Sequence, residues 1–323
     1  MRRGWHRAAW SSTACTSFTG ERKRDGGAPT TDPRRATPRE EAMSANEFFS
    51  SVVIVLGVMA AVAGIETIAP LFAAAPSQRG RRAANLGLTV ATLALNWGLA
   101  AAAGVLALAL PLREPGLMTV AGLPPAAQIV ASVVLLDFSF GYLAHRAMHW
   151  WPMLWRVHRV HHGDPFVDVT TAYRTHPLEV GWRFLFLIVP VWALGIPATA
   201  VVTYRLLSAV NAMFEHANLR LWQPLDGVVS LIWVTPNMHK VHHSRVCVET
   251  DSNYGNLFSL ADRLLGTFTP TQRAAAVRYG LDDDAPVPVE SVVRLFALPF
   301  GWRTEPTAAV RSVGGHQAVS EVR

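Results

Sequence analysis

The stretch AAQIVASVVLLDFSFGYLAHRAMH, residues 126–149, decides how this chain folds. Residues 126–144 are almost wholly apolar and close to the roughly 20 residues a helix needs to cross a bilayer. The run continues without a turn signal into His145 and His149. Residues four apart share one helix face, so HRAMH presents two imidazoles side by side. A span that ends in paired imidazoles predicts an all-α fold: a multi-pass membrane bundle of about four spans with a helical, histidine-rich cap at one membrane surface.

Upstream, NEFFSSVVIVLGVMAAVAGIETIAPLFAAA (46–75) and NLGLTVATLALNWGLAAAAGVLALALPL (85–112) are two more apolar runs long enough to cross. Downstream, residues 180–214 stay apolar, with GIP at 195–197 breaking them. That region reads as a hairpin of two short helices, or as one kinked span and a continuation. Half of the 323 residues are hydrophobic and only 16% are charged, too apolar for a soluble domain of this length. The expected organisation is an extension over 1–45, two spans over 46–125, the histidine-bearing region over 126–275 and a C-terminal tail over 276–323.

The net charge of +6 is concentrated at the start, where residues 1–42 hold nine Lys/Arg against five Asp/Glu. It is therefore no nucleic-acid signature of the folded part. Cys15 and Cys247 form no CxxC, so neither a disulfide framework nor a thiolate metal site is implied. Arg79, Arg81 and Arg82 lie between the first two spans, whereas Arg113 and Glu114 between the second and third give no excess. By the positive-inside rule the first loop is cytoplasmic, and so is the exit of the third span at His145. A multi-pass protein of the cytoplasmic membrane, with its histidines facing the cytoplasm, is expected. The basic start then lies outside, a conflict that disappears if Met43 is the true first residue and 1–42 a mis-called extension. The alternative is a disordered tail; no apolar signal-peptide core is present.

Ten of the twelve histidines fall between 145 and 243, which turns attention from packing to metal binding. They are His145 and His149 in HRAMH, His158, His161 and His162 in HRVHH, His176 in RTHP, His216 in FEHAN, and His239, His242 and His243 in HKVHH. His6 and His316 sit in polar ends and are expected to be inert. In HxxHH two imidazoles share a face and the third is rotated by about 100°, which suits a second ion. The two HxxHH motifs lie 81 residues apart, like jaws closing from opposite sides. A lone histidine such as His176 or His216 is more often a satisfied core residue, but eight in three clusters form a specific ligand pattern. Neutral imidazole suits iron, zinc, copper and nickel, and ten exceed what one ion can hold.

At these residues the sequence resembles the fatty acid hydroxylase / sterol desaturase superfamily of membrane non-haem di-iron enzymes. The resemblance runs over about 127–270 and rests on HRAMH, LWRVHRVHH, TAYRTHP, EHANL, TPNMHKVHHS and the closing DSNYGNLFSLADRLLGTF (251–268). Gly163-Asp164 after the second motif and Ala261 before Asp262 depart from the family pattern without touching a ligand position. The resemblance implies two iron ions, O2 as co-substrate, and hydroxylation or desaturation at a C–H bond of a lipid. It also assigns all ten histidines as metal ligands, with His176 and His216 as the additional ones. Asn253, Tyr254, Gly255 and Asn256 read as a turn under the site. Asp262 reads as a support for a ligand histidine or a helix cap, and Asp164, Asp168 and Glu215 read likewise. Glu66 and Asp137 lie in spans, where ionisable groups face protein or a cavity; Asp137, two turns before His145, is a candidate either for packing against protein or for lining the substrate entry.

No flavin, dinucleotide or iron–sulfur motif accompanies the histidines, so electrons are expected from a separate carrier such as a ferredoxin or small cytochrome. Arg146, Arg156, Arg159, Lys240 and Arg245 read equally as its docking site or as headgroup anchors. Two other classes stay open. A zinc hydrolase would need a general-base carboxylate as in HExxH, which all three motifs lack. A metal transporter would distribute ligands inside its spans rather than after the third.

Overall fold

The computed structural model describes residues 45–73, 79–109, 117, 121–282 and 287–301. The expected extension, the tail beyond 301 and the Arg113–Glu114 loop lie outside the described residues. Among the described residues there is no β-strand, only isolated bridges.

Two long helices come first, α1 (Ala45–Ile68) and α2 (Arg79–Ala109). Pro125 opens the third rod, since a proline in the first turn gives up an amide that has no helical partner anyway. This rod is α3 (Pro125–Leu136), a π-helical segment (Asp137–Leu143) and α4 (Ala144–Trp150) without interruption. Trp151 is extended and Pro152 restarts the chain as α5 (Pro152–His162), the first HxxHH helix. Next come a short 3-10 helix (Val169–Tyr173), α6 (Pro177–Leu194) and α7 (Ala198–His216). The GIP break is thus a hairpin between two helices. Gly195 ends α6 at φ 61°, a left-handed conformation that glycine adopts without Cβ strain, and Pro197 starts α7. The short α8 (Gln223–Val229) leads to α9 (Pro236–His242), the second HxxHH helix.

Three of these helices are long and apolar enough to cross a membrane: 79–106, 125–150 and 177–194. Their outward residues stay exposed, as at Val130, Val134, Leu185 and Val189. Inside, α3, α6 and α7 bury Val133, Leu136, Leu187, Ala200 and Tyr204 together with Leu257 from the cap. The chain expected as a tail after 276 is part of the fold as far as α10 (Val292–Gly301). Its Leu295 packs on Ala84 and Leu88 of α2 and on Val160 of α5.

A buried polar network ties the first two helices to the cap. Arg81 donates to Asp164 at 2.9 Å and also pairs with Asp168, while Arg82 Nε reaches Asp168 at 3.1 Å. Asp168 also caps the 3-10 helix, accepting from Thr170 N. Glu66, late in α1, accepts from Val169 N at 2.8 Å and Asn218 N at 2.7 Å. Each of these carboxylates is satisfied by neighbouring protein groups, as buried charge requires.

Candidate metal centre

The cap folds the three histidine motifs onto one another. Nine of the ten candidate histidines gather in two groups, the donor atoms in each lying within 4.8 Å of one another. The first group is His145, His149, His158, His162 and His242; the second is His161, His216, His239 and His243. Each HxxHH helix contributes to both. The i, i+4 pair His158/His162 belongs to the first group and His161 to the second, whereas His239/His243 belong to the second and His242 to the first. The groups share a wall, with the rings of His162 and His243 stacked at 4.6 Å.

Tautomers follow from the outer partners. His145 Nδ1 faces the Tyr254 carbonyl at 2.8 Å, and His158 Nδ1 faces Glu179 Oε2 at 3.0 Å. The carbonyl accepts only, and Glu179, paired through its other oxygen with Arg183 at 3.0 Å, accepts as a carboxylate, so both Nδ1 atoms carry the proton and both Nε2 atoms are bare lone pairs. Yet these two Nε2 atoms lie 3.1 Å apart. Opposed lone pairs repel at that distance unless a cation lies between them. The second group repeats the pattern. His216 Nδ1 faces the Ala212 carbonyl at 2.7 Å, and its bare Nε2 meets those of His161, His239 and His243 at 3.1, 3.0 and 3.2 Å. One lone pair accepts one proton, not three. Donors about 2.1 Å from one ion sit about 3.0 Å apart at right angles and about 3.4 Å apart in a tetrahedron, which brackets the spacing found.

Orphaned nitrogens support the same fit. His149 Nε2, His242 Nε2 and both nitrogens of His162 are buried with no hydrogen-bond partner. Burial, and after it the neighbouring imidazoles, hold His158, His161, His162, His239 and His243 well below the ordinary 6.5. Burial does the same to His242. All six are therefore neutral, the form that binds metal.

The supports are as specific as the donors. His242 Nδ1 faces the Ser252 carbonyl at 2.7 Å, and His149 Nδ1 faces the exposed Asp251 at 3.2 Å. Asp262 accepts from Tyr254 N and Gly255 N at 2.8 Å each, fixing the turn whose Tyr254 carbonyl holds His145. It supports that histidine through the backbone rather than by touching it. Gly255 is required by close approach, because a Cβ there would lie 2.5 Å from the Phe258 carbonyl. Asp137 does not line an entry. It accepts from Leu257 N and Phe258 N at 3.0 Å each and anchors this same stretch to the third rod. Glu215 Oε1 lies 3.9 Å from His239 Nε2 and 3.8 Å from His216 Nδ1, beside the second group.

The structure does not bring His176 to either group. Its Nδ1 accepts from Leu178 N at 3.1 Å, its Nε2 faces the Phe296 carbonyl at 3.1 Å, and its ring packs on Phe296 and Phe300. It caps α6 and fastens α10. Lys240, read from sequence as a docking or anchoring cation, is buried and donates to the His216 carbonyl. Sequence reasoning missed Glu179, whose signal was slight: an acid in the first turn of a membrane helix just after the histidine-proline pair.

A cavity of ≈ 130 Å³ opens against His145, His161, His216 and His239 from between α2, α6 and α7. A second, of ≈ 110 Å³, reaches His149 and His162 past Trp155, Arg245 and Asp251.

The fold is that of a helical membrane protein, and its cap carries two adjacent histidine groups, each of which could hold a metal ion. Residues 129–267 match the model of the fatty acid hydroxylase family. Relatives include an ornithine lipid hydroxylase of Rhizobium tropici, 31% identical over 158 residues (49% of this chain, 46% of that protein). An alkylglycerol monooxygenase of Caenorhabditis elegans is 29% identical over 145 residues (45% and 28%). A very-long-chain aldehyde decarbonylase of Oryza sativa is 29% identical over 153 residues (46% and 55%). The chain thus covers less than half of the length of the first two. No solved structure matches.

Proposed function

We propose that this protein is an O2-dependent lipid hydroxylase whose two iron ions are held by nine histidines, five at one site and four at the other. The observation that carries this reading is the convergence of Nε2 atoms at 3.0–3.2 Å in both groups, more than hydrogen bonding between them can satisfy and at the spacing of ligands on one ion. Two neighbouring imidazole-rich sites suit a redox metal pair, whereas a hydrolytic zinc needs only three or four ligands. When bound, such an iron pair supplies reductive activation of O2 strong enough to break an unactivated C–H bond.

The chain's own residues do the rest. Tyr254, Ser252, Ala212 and Glu179 set tautomers and aim Nε2 inward. The cavity between α2, α6 and α7 receives the lipid beside His145 and His239. Burial of the remaining histidine faces keeps bulk water from the reacting carbon. Hydroxylation is favoured over desaturation because two of the relatives are named a hydroxylase and a monooxygenase. Electrons come from a separate carrier that docks on the cap, on the cytoplasmic side by the positive-inside reading of the sequence.

Two measurements test the reading. Protein expressed with iron and purified in detergent is expected to hold about two irons per chain, matching two multi-imidazole sites. Lipids of a deletion strain are expected to lack a species one oxygen heavier than its precursor. A species lighter by two hydrogens would make the enzyme a desaturase. A full zinc complement with an unchanged lipid profile would overturn the proposal.

A further inference from the structure

Among the described residues, Arg205 on α7 has no carboxylate partner. On α7, Val202, Leu206 and Val210 recur every four residues and are exposed, forming an apolar stripe on the outer side of the helix. Arg205 turns inward from it. Its Nη2 donates to Asn96 Oδ1 on α2 at 3.0 Å, and its guanidinium lies 5.5 Å from the Phe140 ring. Arg183 on α6 approaches the same ring at 5.8 Å, but Glu179 neutralises it. Among the described residues Arg205 makes no ion pair. A cation turned into a protein groove without a counter-ion is costly, which makes the position a candidate for binding an anion.

Arg205 lines the same cavity as the histidines. It lies eleven residues before His216, which is about 16 Å of rise and three near-complete turns, so the two share a helix face. Between them on that face come Ser208, Ala209 and Ala212, all lining the cavity and all small enough to leave a groove. One end of the groove offers an unneutralised guanidinium fork, and the other offers the donor nitrogens of the second histidine group.

We propose that Arg205 seats the oxyanion, a carboxylate or phosphate, of an acidic lipid lying in this groove with its oxidisable C–H at the histidine end. A guanidinium presents five N–H donors in a fork suited to such a group, and Asn96 takes only one of them. The proposal rests on the lipid hydroxylase reading and adds the charge of the substrate and the position of its anionic group.

Binding, read without turnover, tests it. Full-length protein in detergent is titrated with radiolabelled palmitic acid, dioleoyl phosphatidic acid and the neutral dioleoylglycerol, with inorganic phosphate as competitor. The parent is expected to retain at least one acidic lipid saturably and to be indifferent to millimolar phosphate. Arg205→Met is expected to weaken that retention at least tenfold, and Arg205→Lys less. Asn96→Asp, which supplies an internal carboxylate to Arg205 and keeps the packing, is expected to weaken it as Arg205→Met does. Dioleoylglycerol retention stays unchanged in all three, which also reports an intact fold. Parent-like retention of the acidic lipids by both Arg205→Met and Asn96→Asp overturns the proposal and leaves the oxygenase reading standing. Full competition by inorganic phosphate overturns the lipid source of the anion. Loss of iron or of oxygenated lipid would defeat the oxygenase reading and leave this binding result in place.

Discussion

Glu179 enters the centre through one contact, Oε2 to His158 Nδ1 at 3.0 Å, while its other oxygen accepts from Arg183 Nε at 3.0 Å. A carboxylate in that position fixes the ring and makes its far nitrogen a stronger donor to metal. Glu179→Gln keeps the shape and removes the charge, and removal of such partners weakens metal binding about 10–100-fold. Metal retained by purified protein under chelator competition is expected to fall by that much, without loss of the fold. Unchanged retention would mean that Glu179 serves only to neutralise Arg183. The residue was not legible in the sequence for a physical reason. It lies 21 positions from the ring it holds, and an acid in a first helical turn is the ordinary complement of the helix dipole. His176 shows the converse: it stands in a family-like motif, yet both its nitrogens are taken by backbone groups away from the centre.

The elements divide in the same way. That HxxHH sends one imidazole away from the other two was legible from helical geometry alone. Which imidazole departs, and to which group, was not. His161 and His242, the i+3 members, leave their own pairs and join the opposite group. That choice depends on how α5 and α9 cross, a tertiary property that spacing does not contain. The π-helical segment at 137–143 was invisible for a similar reason, because a π turn adds a residue without altering composition. Within it Asp137 reaches the Leu257 and Phe258 amides, so an acid read as lining an entry is an anchor between membrane rod and cap. Asp137→Asn retains one acceptor oxygen and leaves one of the two buried amides unsatisfied. Hydrogen bonds to charged groups contribute about 1.5–3 kcal/mol, and a loss of that order is expected in detergent unfolding. Metal content of the folded fraction is expected to stay at the parent level. A metal-depleted but equally stable variant would return Asp137 to the centre.

At the scale of the whole molecule, the spans exist to carry a cap in which imidazoles are kept out of water. The latch of Arg81 on Asp164 and Asp168 and the docking of α10 close that cap on its remaining sides. A pH dependence of stability follows from the enclosure. Burial holds His158, His161, His162, His239, His242 and His243 neutral, with folded values well below the ordinary 6.5. In the unfolded chain the same rings take up protons as the pH falls through 6.5. The unfolded state then binds more protons than the folded one, so stability is greatest above that value and declines as the pH falls towards the depressed folded values. Each proton bound only by the unfolded chain adds about 1.4 kcal/mol per pH unit to the decline. Metal held by these rings, as proposed above, is expected to be lost over the same window, because protons and metal compete for the same nitrogens. Thermal unfolding in detergent between pH 7.5 and 5.5, with metal content measured in parallel, is expected to show a falling midpoint and a slope of more than one proton. A midpoint flat across 6.5 would mean that the rings are as accessible to protons when folded as when unfolded, and the enclosure of the two groups would then be wrong.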